Sequence, residues 1–384
     1  MAILLTLLSW TPAGAQAPLP GWLLDVNAEG GHEDAVRFQS PDDPGDRYAR
    51  VRGDLLRHWM GTRGTLDVVA SGDARRYAVL SDLDRLNYGV AARATRKLTP
   101  RANGSFSMMA RTLLATDISA MSPDSGASGP PTEFPPEQVA LGARLPRVAA
   151  NLLGSQAEFE YKLAPRTSAT FAADYLHTSF DSPLLTATNT TRGSATLAHQ
   201  VAPRNSALLQ AEIQRGSTQR QPLGSDNVAA GWQQEVGPMT GRILGGATRS
   251  TTPGSSRVDP TGAAQLMLPV ASGSAEVEYS RRVSQAVGVG TMLTSNRVAA
   301  RYERNLIDAW EVTMSASHAW SRDPDPAIGR LGNTDGAVDL KHVFGGSFLV
   351  GGAVTYRRRE QEQLPTLRGF DIRLYFGVVA AARS

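Results

Sequence analysis

Polar and apolar residues alternate one by one along most of this chain. Apolar side chains occupy every second position from 310 to 317, and Glu311, Thr313 and Ser315 lie between them. The same pattern recurs at 156–163 and 275–280. Because successive side chains of a β-strand point to opposite faces, each segment predicts a strand with one apolar and one hydrophilic face.

About 18 such segments follow one another, each near the ~9–11 residues that a tilted strand needs to cross a bilayer. Their approximate centres are Val26, Arg52, Val68, Ala91, Met108, Phe159, Ala172, Thr196, Ala211, Ala230, Gly245, Gln265, Val277, Ala300, Thr313, Leu340, Gly352 and Ile372. Strands of this length and number favour a membrane-spanning sheet over a chain of small domains.

The connections between these segments are of two kinds. One kind is tight and rich in Pro or Gly, as at 99–101, 164–166, 202–204 and 237–239. The other is longer, polar and acidic, as in the stretch at 40–46. Short turns at one end and longer loops at the other are typical of outer-membrane barrels.

The spacing of two tryptophans agrees with the thickness of a membrane. Trp310 and Trp320 are ten residues apart and lie on the same strand face. That separation is about 33 Å along a strand, or about 25 Å along the membrane normal at a tilt of ~40°. In lipid every backbone N–H and C=O must be paired, and a closed sheet has no bare edge. We therefore predict an all-β fold, a single transmembrane antiparallel up-and-down β-barrel with an even number of strands.

The N-terminus and the composition narrow the class further. Residues 3–8 are apolar except for Thr6, and Ala13-Gly14-Ala15 follows them, which is typical of a secretory signal peptide and its cleavage site. We predict a signal peptide over 1–15 and one barrel over 16–384. The chain has no cysteine, which excludes disulfides and thiolate metal sites. A net charge of +3, with arginines interleaved among carboxylates, gives no case for a nucleic-acid partner.

Together these features resemble the bacterial outer-membrane β-barrel superfamily over nearly the whole mature chain. The segment 368–376 is similar to the C-terminal strand that the barrel-assembly machinery reads, although residues 377–384 continue past its final aromatic, Phe376. The resemblance implies a location in the bacterial outer membrane and contact with outer-membrane lipid and lipopolysaccharide. The short outer loops are also similar to porin-like barrels of exopolysaccharide secretion systems, which implies periplasmic polysaccharide-export components as partners.

Alternation assigns side chains to the two faces of the barrel. The charged side chains expected to face the lumen include Arg93, Arg111, Glu158, Glu160, Glu276, Glu278, Arg297, Arg301, Glu311 and Arg373. Those expected in a lipid-facing aromatic girdle are Trp310, Trp320, Tyr279 and Phe376. The lumenal charges nearly cancel. Two hypotheses remain open, a water-filled lumen laced with cross-strand ion pairs and a hydrophilic duct for a polar chain.

The longest connection, 116–150, contains six prolines, Pro123, Pro130, Pro131, Pro135, Pro136 and Pro146. It could fold inward as a constriction or stay outside as a lid, whereas the other connections look too short to reach the centre. The six histidines lie in no metal-ligand spacing, so we expect no metal, cofactor or catalytic residue.

These patterns predict an outer-membrane channel for passive passage of a polar solute or a secreted polysaccharide. The alternative is a non-conducting structural or adhesion barrel, and an outer-membrane enzyme is a third, less favoured hypothesis.

Overall fold

Eighteen β-strands make up most of the described chain. The computed structural model describes residues 21–34, 43–114, 148–183, 185–218, 221–286, 291–306, 309–322, 329–345, 347–362 and 364–382. The strands are β1 (Trp22–Glu33), β2 (Asp46–Gly61), β3 (Gly64–Tyr77), β4 (Arg85–Thr99), β5 (Ala102–Leu114), β6 (Ala149–Ala164), β7 (Thr167–Phe180), β8 (Thr188–Ala202), β9 (Asn205–Thr218), β10 (Pro222–Val236), β11 (Met239–Thr252), β12 (Ser255–Val270), β13 (Gly273–Ala286), β14 (Thr291–Asn305), β15 (Trp310–Arg322), β16 (Arg330–Phe344), β17 (Phe348–Gln361) and β18 (Leu367–Ala382).

Each strand pairs antiparallel with the next, and the sheet closes on itself. The closing pair is β1 with β18, in register from Trp22 opposite Ala382 to Glu33 opposite Asp371. The predicted centres fall in β1 to β18 in the same order, so the predicted 18-strand barrel is confirmed. The strands are 12 to 16 residues long rather than 9 to 11, since their ends extend beyond the span that a bilayer requires. Among the described residues, no helix is long and apolar enough to cross a bilayer.

Contacts over an intervening strand identify the inner face. The Tyr48 hydroxyl on β2 reaches past β1 and donates to Oδ1 of Asp371 on β18, at 2.8 Å. Tyr375 on β18 likewise reaches past β17 to Asp339 on β16, at 2.6 Å. Only the concave side of a barrel brings second neighbours this close. Since directly opposite residues in an antiparallel pair share a face, the register then assigns every strand position.

The outward face carries the apolar side chains. Four side chains that alternation assigns to lipid are between 44% and 53% exposed, namely Phe171, Val277, Met314 and Ile372. Val312 shares their face but is only 9% exposed, and its register partners are Arg304 and Leu340. The outward band is therefore apolar on strands from all around the barrel.

Two expectations about the connections need correction. The outer connection between β11 and β12 is only Pro253-Gly254, with Gly254 at a φ of +78°, so the outer loops are not uniformly long. Ala149 and Ala150, placed in the long loop by sequence, belong to β6, because they pair with Leu114 and Leu113 of β5. Residues 115–147 and the predicted signal peptide, 1–15, lie outside the described residues.

Candidate functional site: the barrel lumen

The ten charged residues predicted for the lumen all lie at inner-face positions in this register. Glu276 on β13 lies opposite Arg301 on β14, and Glu276 also accepts a hydrogen bond from Gln265 of β12. Glu311 forms an ion pair with Lys341, Nζ to Oε1 at 2.8 Å. The other members are spread around the wall on β4, β5, β6, β13, β14 and β18 and do not form one cluster.

Ion pairs are densest on the inner faces of β15–β18 and β1–β3, called the charged wall below. Arg50 on β2 bridges its two neighbouring strands. Its Nε and Nη2 contact the two carboxylate oxygens of Asp73 on β3 at 2.7 and 2.5 Å, and Nη1 contacts Glu29 on β1 at 3.2 Å. A bidentate guanidinium–carboxylate pair is strong and directional. Arg50 therefore ties three strands together.

Arg75, at the outer end of β3, is the centre of a second network. Its Nη1 lies 3.2 Å from Oε2 of Glu33, to which the Tyr77 hydroxyl also donates at 2.7 Å. Its guanidinium lies 4.3 Å from the centre of the Tyr48 ring, and Tyr48 donates to Asp371. These side chains are buried. The charges here hold the wall together and are not available to a solute.

The inner faces of β7–β11, called the polar wall below, have mostly hydroxyl and amide side chains. These are Ser168, Thr170, Thr178, Thr188, Thr190, Ser194, Thr196, Gln200, Ser206, Gln210, Gln214, Thr218, Ser225, Asn227, Gln233, Thr240, Thr248, Ser250 and Thr252. The charged residues of the polar wall are fewer. They are the Arg192–Asp174 ion pair at 2.6 Å, together with Glu212, Glu235 and Arg242.

Between these walls, the outer part of the β13–β14 hairpin leaves the barrel sheet. Within the described residues, β13 pairs with β12 only up to Arg281, and β14 pairs with β15 only from Thr294 onward. The two strands still pair with each other as far as Ala286 opposite Thr291. Residues 282–286 and 291–293 thus form a two-stranded ribbon, called the ribbon below, that is not paired with β12 and, within the described residues, not paired with β15.

The ribbon crosses to the polar wall. The Thr190 hydroxyl on β8 donates to Oε1 of Gln285 at 3.0 Å, and a Cβ on Gly216 of β9 would lie 2.1 Å from the same oxygen. Leu223 on β10 forms a buried apolar cluster with Val283 and Met292. Because β8–β10 are three to five strands away from β13, these contacts place the ribbon inside the outer mouth of the lumen.

Side chains replace the ladder where β12 and β13 separate. Nε of Arg281 donates to the carbonyl of Pro260 at 2.9 Å, and Nη2 of Arg257 donates to the hydroxyl of Thr294 at 2.6 Å. Unpaired backbone groups at a sheet edge are costly unless another group satisfies them. These bonds allow β12 and β13 to separate while the backbone carbonyl of Pro260 keeps a hydrogen-bond donor.

The ribbon contradicts the expectation that connections other than 116–150 are too short to reach the lumen. The hairpin reaches it by bending its strands inward and needs no long loop. A signal existed in the sequence, since Val283 and Met292 are apolar at the outer end of a hairpin. The expected constriction by 116–150 concerns residues outside the described part and stays a prediction.

Aromatic rings on the outer surface form a belt at the end with the short turns. Consecutive ring centroids are 4.7 to 6.1 Å apart in the series Trp310, His342, Phe344, Phe348 and Phe376. At the other end, Trp320 lies opposite Asn296, to which Tyr279 donates a hydrogen bond at 3.3 Å. The four girdle residues proposed from sequence thus occupy outward positions at two different heights.

Within the part of the chain that the structure describes, no group of three or more His, Asp or Glu side chains is placed to hold a metal ion.

No protein-family model and no curated protein matches this sequence. Solved structures do match. OpdO of Pseudomonas aeruginosa aligns with a TM-score of 0.51 and 11% identity, over 94% of this chain and 97% of that one. OpdK of Pseudomonas aeruginosa, solved with vanillate, aligns with a TM-score of 0.50 and 9% identity, over 94% and 99%. OpdK is an outer membrane protein.

The chain folds as a closed antiparallel β-barrel of 18 strands, like these two proteins. At these identities the likeness extends to the barrel and its size. The lumen of this barrel must therefore be interpreted from its own residues.

Proposed function

We propose that this barrel is a passive channel for small polar solutes, narrowed at its outer mouth by the ribbon. The observation that carries the proposal is the ribbon's attachment to the polar wall through Gln285 and the Leu223–Val283–Met292 cluster. A barrel of about 18 strands is wide enough to leave an aqueous lumen. A hydrophilic inner face with an inward-folded segment is the arrangement expected of a selective pore rather than of a filled structural barrel.

The solute path in this proposal runs between the ribbon and the charged wall. Arg282 and Arg297 lie on the inner face at the base of the ribbon, on β13 and β14. OpdK, which shares the fold, was solved with vanillate, a small aromatic carboxylate. We infer a solute of similar size for this chain, and the proposal assigns no catalytic step to any residue.

Single-channel conductance in planar bilayers tests the proposal. Replacement of residues 283–293 by Asn-Gly, a favourable two-residue hairpin turn, should raise conductance because it removes the ribbon. The matched variant deletes Ser119 to Pro136 and tests the constriction predicted from sequence. If the ribbon variant carries a larger current than the native protein and the loop deletion does not, the pore is restricted by the ribbon. If neither the native protein nor the ribbon variant conducts, the channel proposal fails and a structural or adhesion role replaces it.

Passage of a polysaccharide is a second candidate, and the polar wall is the observation that favours it. A track of hydroxyl and amide groups offers hydrogen-bond partners to an uncharged sugar chain. The ribbon opposes it, since a polymer must pass where the lumen is narrowed. Dextrans of graded size should interrupt the current of the ribbon-replaced variant if a sugar chain fits. An uninterrupted current at every size would rule out this candidate.

A further inference from the structure

Four consecutive short turns on the periplasmic rim each place an arginine at the same position. The arginines are Arg63, Arg101, Arg166 and Arg204, called the arginine rim below. Each backbone carbonyl accepts an N–H from the strand beyond its hairpin, at 2.7, 2.8, 2.8 and 2.9 Å, from Lys97, Lys162, Gln200 and Glu235 respectively. The repeated bond fixes the four turns in the same orientation.

The last three turns also share a local sequence, an apolar residue followed by any residue, Pro and Arg. The apolar residues Leu98, Leu163 and Val201 are 48%, 51% and 51% exposed. Each hairpin shifts its register at this point. Leu98 points outward, since its Cδ1 lies 3.6 Å from where a Cβ on the outward Gly104 would stand. Each of these three units therefore pairs an outward apolar side chain with an arginine at the tip.

The arginines are exposed, and among the described residues none of the four forms an ion pair. Neighbouring turns are two strands apart, which separates the tips by about 10–13 Å at typical strand spacing and tilt. The described residues of the short turns after β10, β12, β14 and β16 include no arginine. Among the described short turns, arginines within the turn are thus confined to the half of the rim between β2 and β9.

We propose that the arginine rim binds the phosphates of anionic phospholipids in the periplasmic leaflet of the membrane. In this arrangement the outward apolar residue of each unit lies at the edge of the acyl region of the bilayer, and the guanidinium beyond it lies at the level of the lipid phosphates. The stacked pair Phe159 and Tyr161, with ring centroids 6.3 Å apart, lies just before Leu163 and marks the same boundary. Guanidinium groups bind phosphate oxygens bidentately, which a lysine cannot do.

An anionic periplasmic polymer is the competing occupant of a basic rim. Such a polymer would approach from the aqueous side and would not contact apolar side chains that point into the bilayer. The repeated apolar residue therefore favours lipid.

The test is lipid selectivity of the folded barrel in phosphatidylcholine vesicles. Electron paramagnetic resonance measures the protein-immobilised fraction of trace spin-labelled phosphatidylglycerol and, in parallel, of spin-labelled phosphatidylcholine. The native protein should retain the anionic lipid more strongly, by about fivefold at a site near one arginine in low salt. The triple variant Arg101→Gln, Arg166→Gln and Arg204→Gln should lose most of this preference, and high salt should have the same effect on the native protein.

The matched control removes three inner-face arginines, Arg93→Gln, Arg242→Gln and Arg373→Gln, which changes the net charge equally and should leave the preference intact. A gel shift on boiling verifies that each variant is folded. If the triple Gln variant does not fold, the single variant Arg166→Gln should still lower the preference for the anionic lipid. Replacing the three arginines by Lys should give a preference between those of the triple Gln variant and the native protein. A preference that is absent from the native protein, or unchanged in a folded rim variant, overturns the proposal.

Discussion

The two sides of the lumen are held together by different interactions. On the charged wall, Arg75 contacts Glu33 and the Tyr48 ring, and Glu33 also accepts a bond from Tyr77, all on strands already joined in the sheet. The ribbon touches the polar wall through the Thr190–Gln285 hydrogen bond and one apolar cluster, and the described residues of the two form no sheet ladder. The charged wall is cross-linked between strands of one sheet, whereas the ribbon is attached to the polar wall by side-chain contacts.

The difference in energy between the two sides is large. Removing one partner of a buried ion-pair network leaves an uncompensated charge and typically costs about 3–5 kcal/mol. Losing a neutral hydrogen bond typically costs about 0.5–1.5 kcal/mol. Local opening follows the weaker interactions, so motion in this lumen should be concentrated in the ribbon.

The largest expected effect is on the charged wall. Arg75→Ala should lower the free energy of unfolding by about 3–5 kcal/mol, because the buried Glu33 then loses its nearer cation and keeps Arg357 at 4.0 Å. Urea unfolding in vesicles, followed by tryptophan fluorescence, measures the change. The control is Arg373→Ala, an inner-face arginine without an ion pair among the described residues, which should cost less than about 1 kcal/mol. Equal losses in the two variants would mean that the network adds nothing.

The second prediction tests the assignment of faces on which the comparison of the walls depends. Met314→Arg places a charge on the outward face of β15 and should cost about 2–4 kcal/mol near the bilayer midplane. Ser315→Arg, one residue along on the inner face, should cost less than about 1 kcal/mol because water or the lumen wall receives the charge. The same unfolding measurement applies. The reverse order of costs would mean that the register is shifted by one residue.

The strands and their faces could be predicted from sequence because a bilayer leaves few solutions. In a bilayer, alternation such as that of Glu311, Thr313 and Ser315 fits a strand with one face toward lipid and the other toward the lumen. The need to pair every backbone group then requires that the sheet be closed. Which charges meet was harder to predict. That Glu276 lies opposite Arg301 depends on register, which each hairpin turn sets independently.

The ribbon and the arginine rim were missed in the sequence for a different reason. The ribbon exists because β13 stops pairing with β12 after Arg281. The alternation of apolar and polar residues in the two strands does not indicate where their pairing ends. The Pro-Arg turns at Arg101, Arg166 and Arg204 were visible as turns. Their alignment on one half of the rim follows only from the order of strands around the closed barrel.

The smallest change in stability is expected at the ribbon, where the change in current should be clearest. Gln285→Ala removes the acceptor of the Thr190 hydroxyl but also removes an amide Nε2 that has no hydrogen-bond partner among the described residues. The two changes offset each other, so the free energy of unfolding should fall by no more than about 0.5–1.5 kcal/mol. The ribbon then keeps only its apolar contacts and should leave the polar wall more often, which predicts larger and noisier single-channel currents. Thr190→Val removes the same bond from the other side and should give the same current noise, and the double variant should be no noisier than either single one. Additive noise would show that Gln285 and Thr190 act separately, and quiet currents in both variants would show that the apolar cluster alone fixes the ribbon.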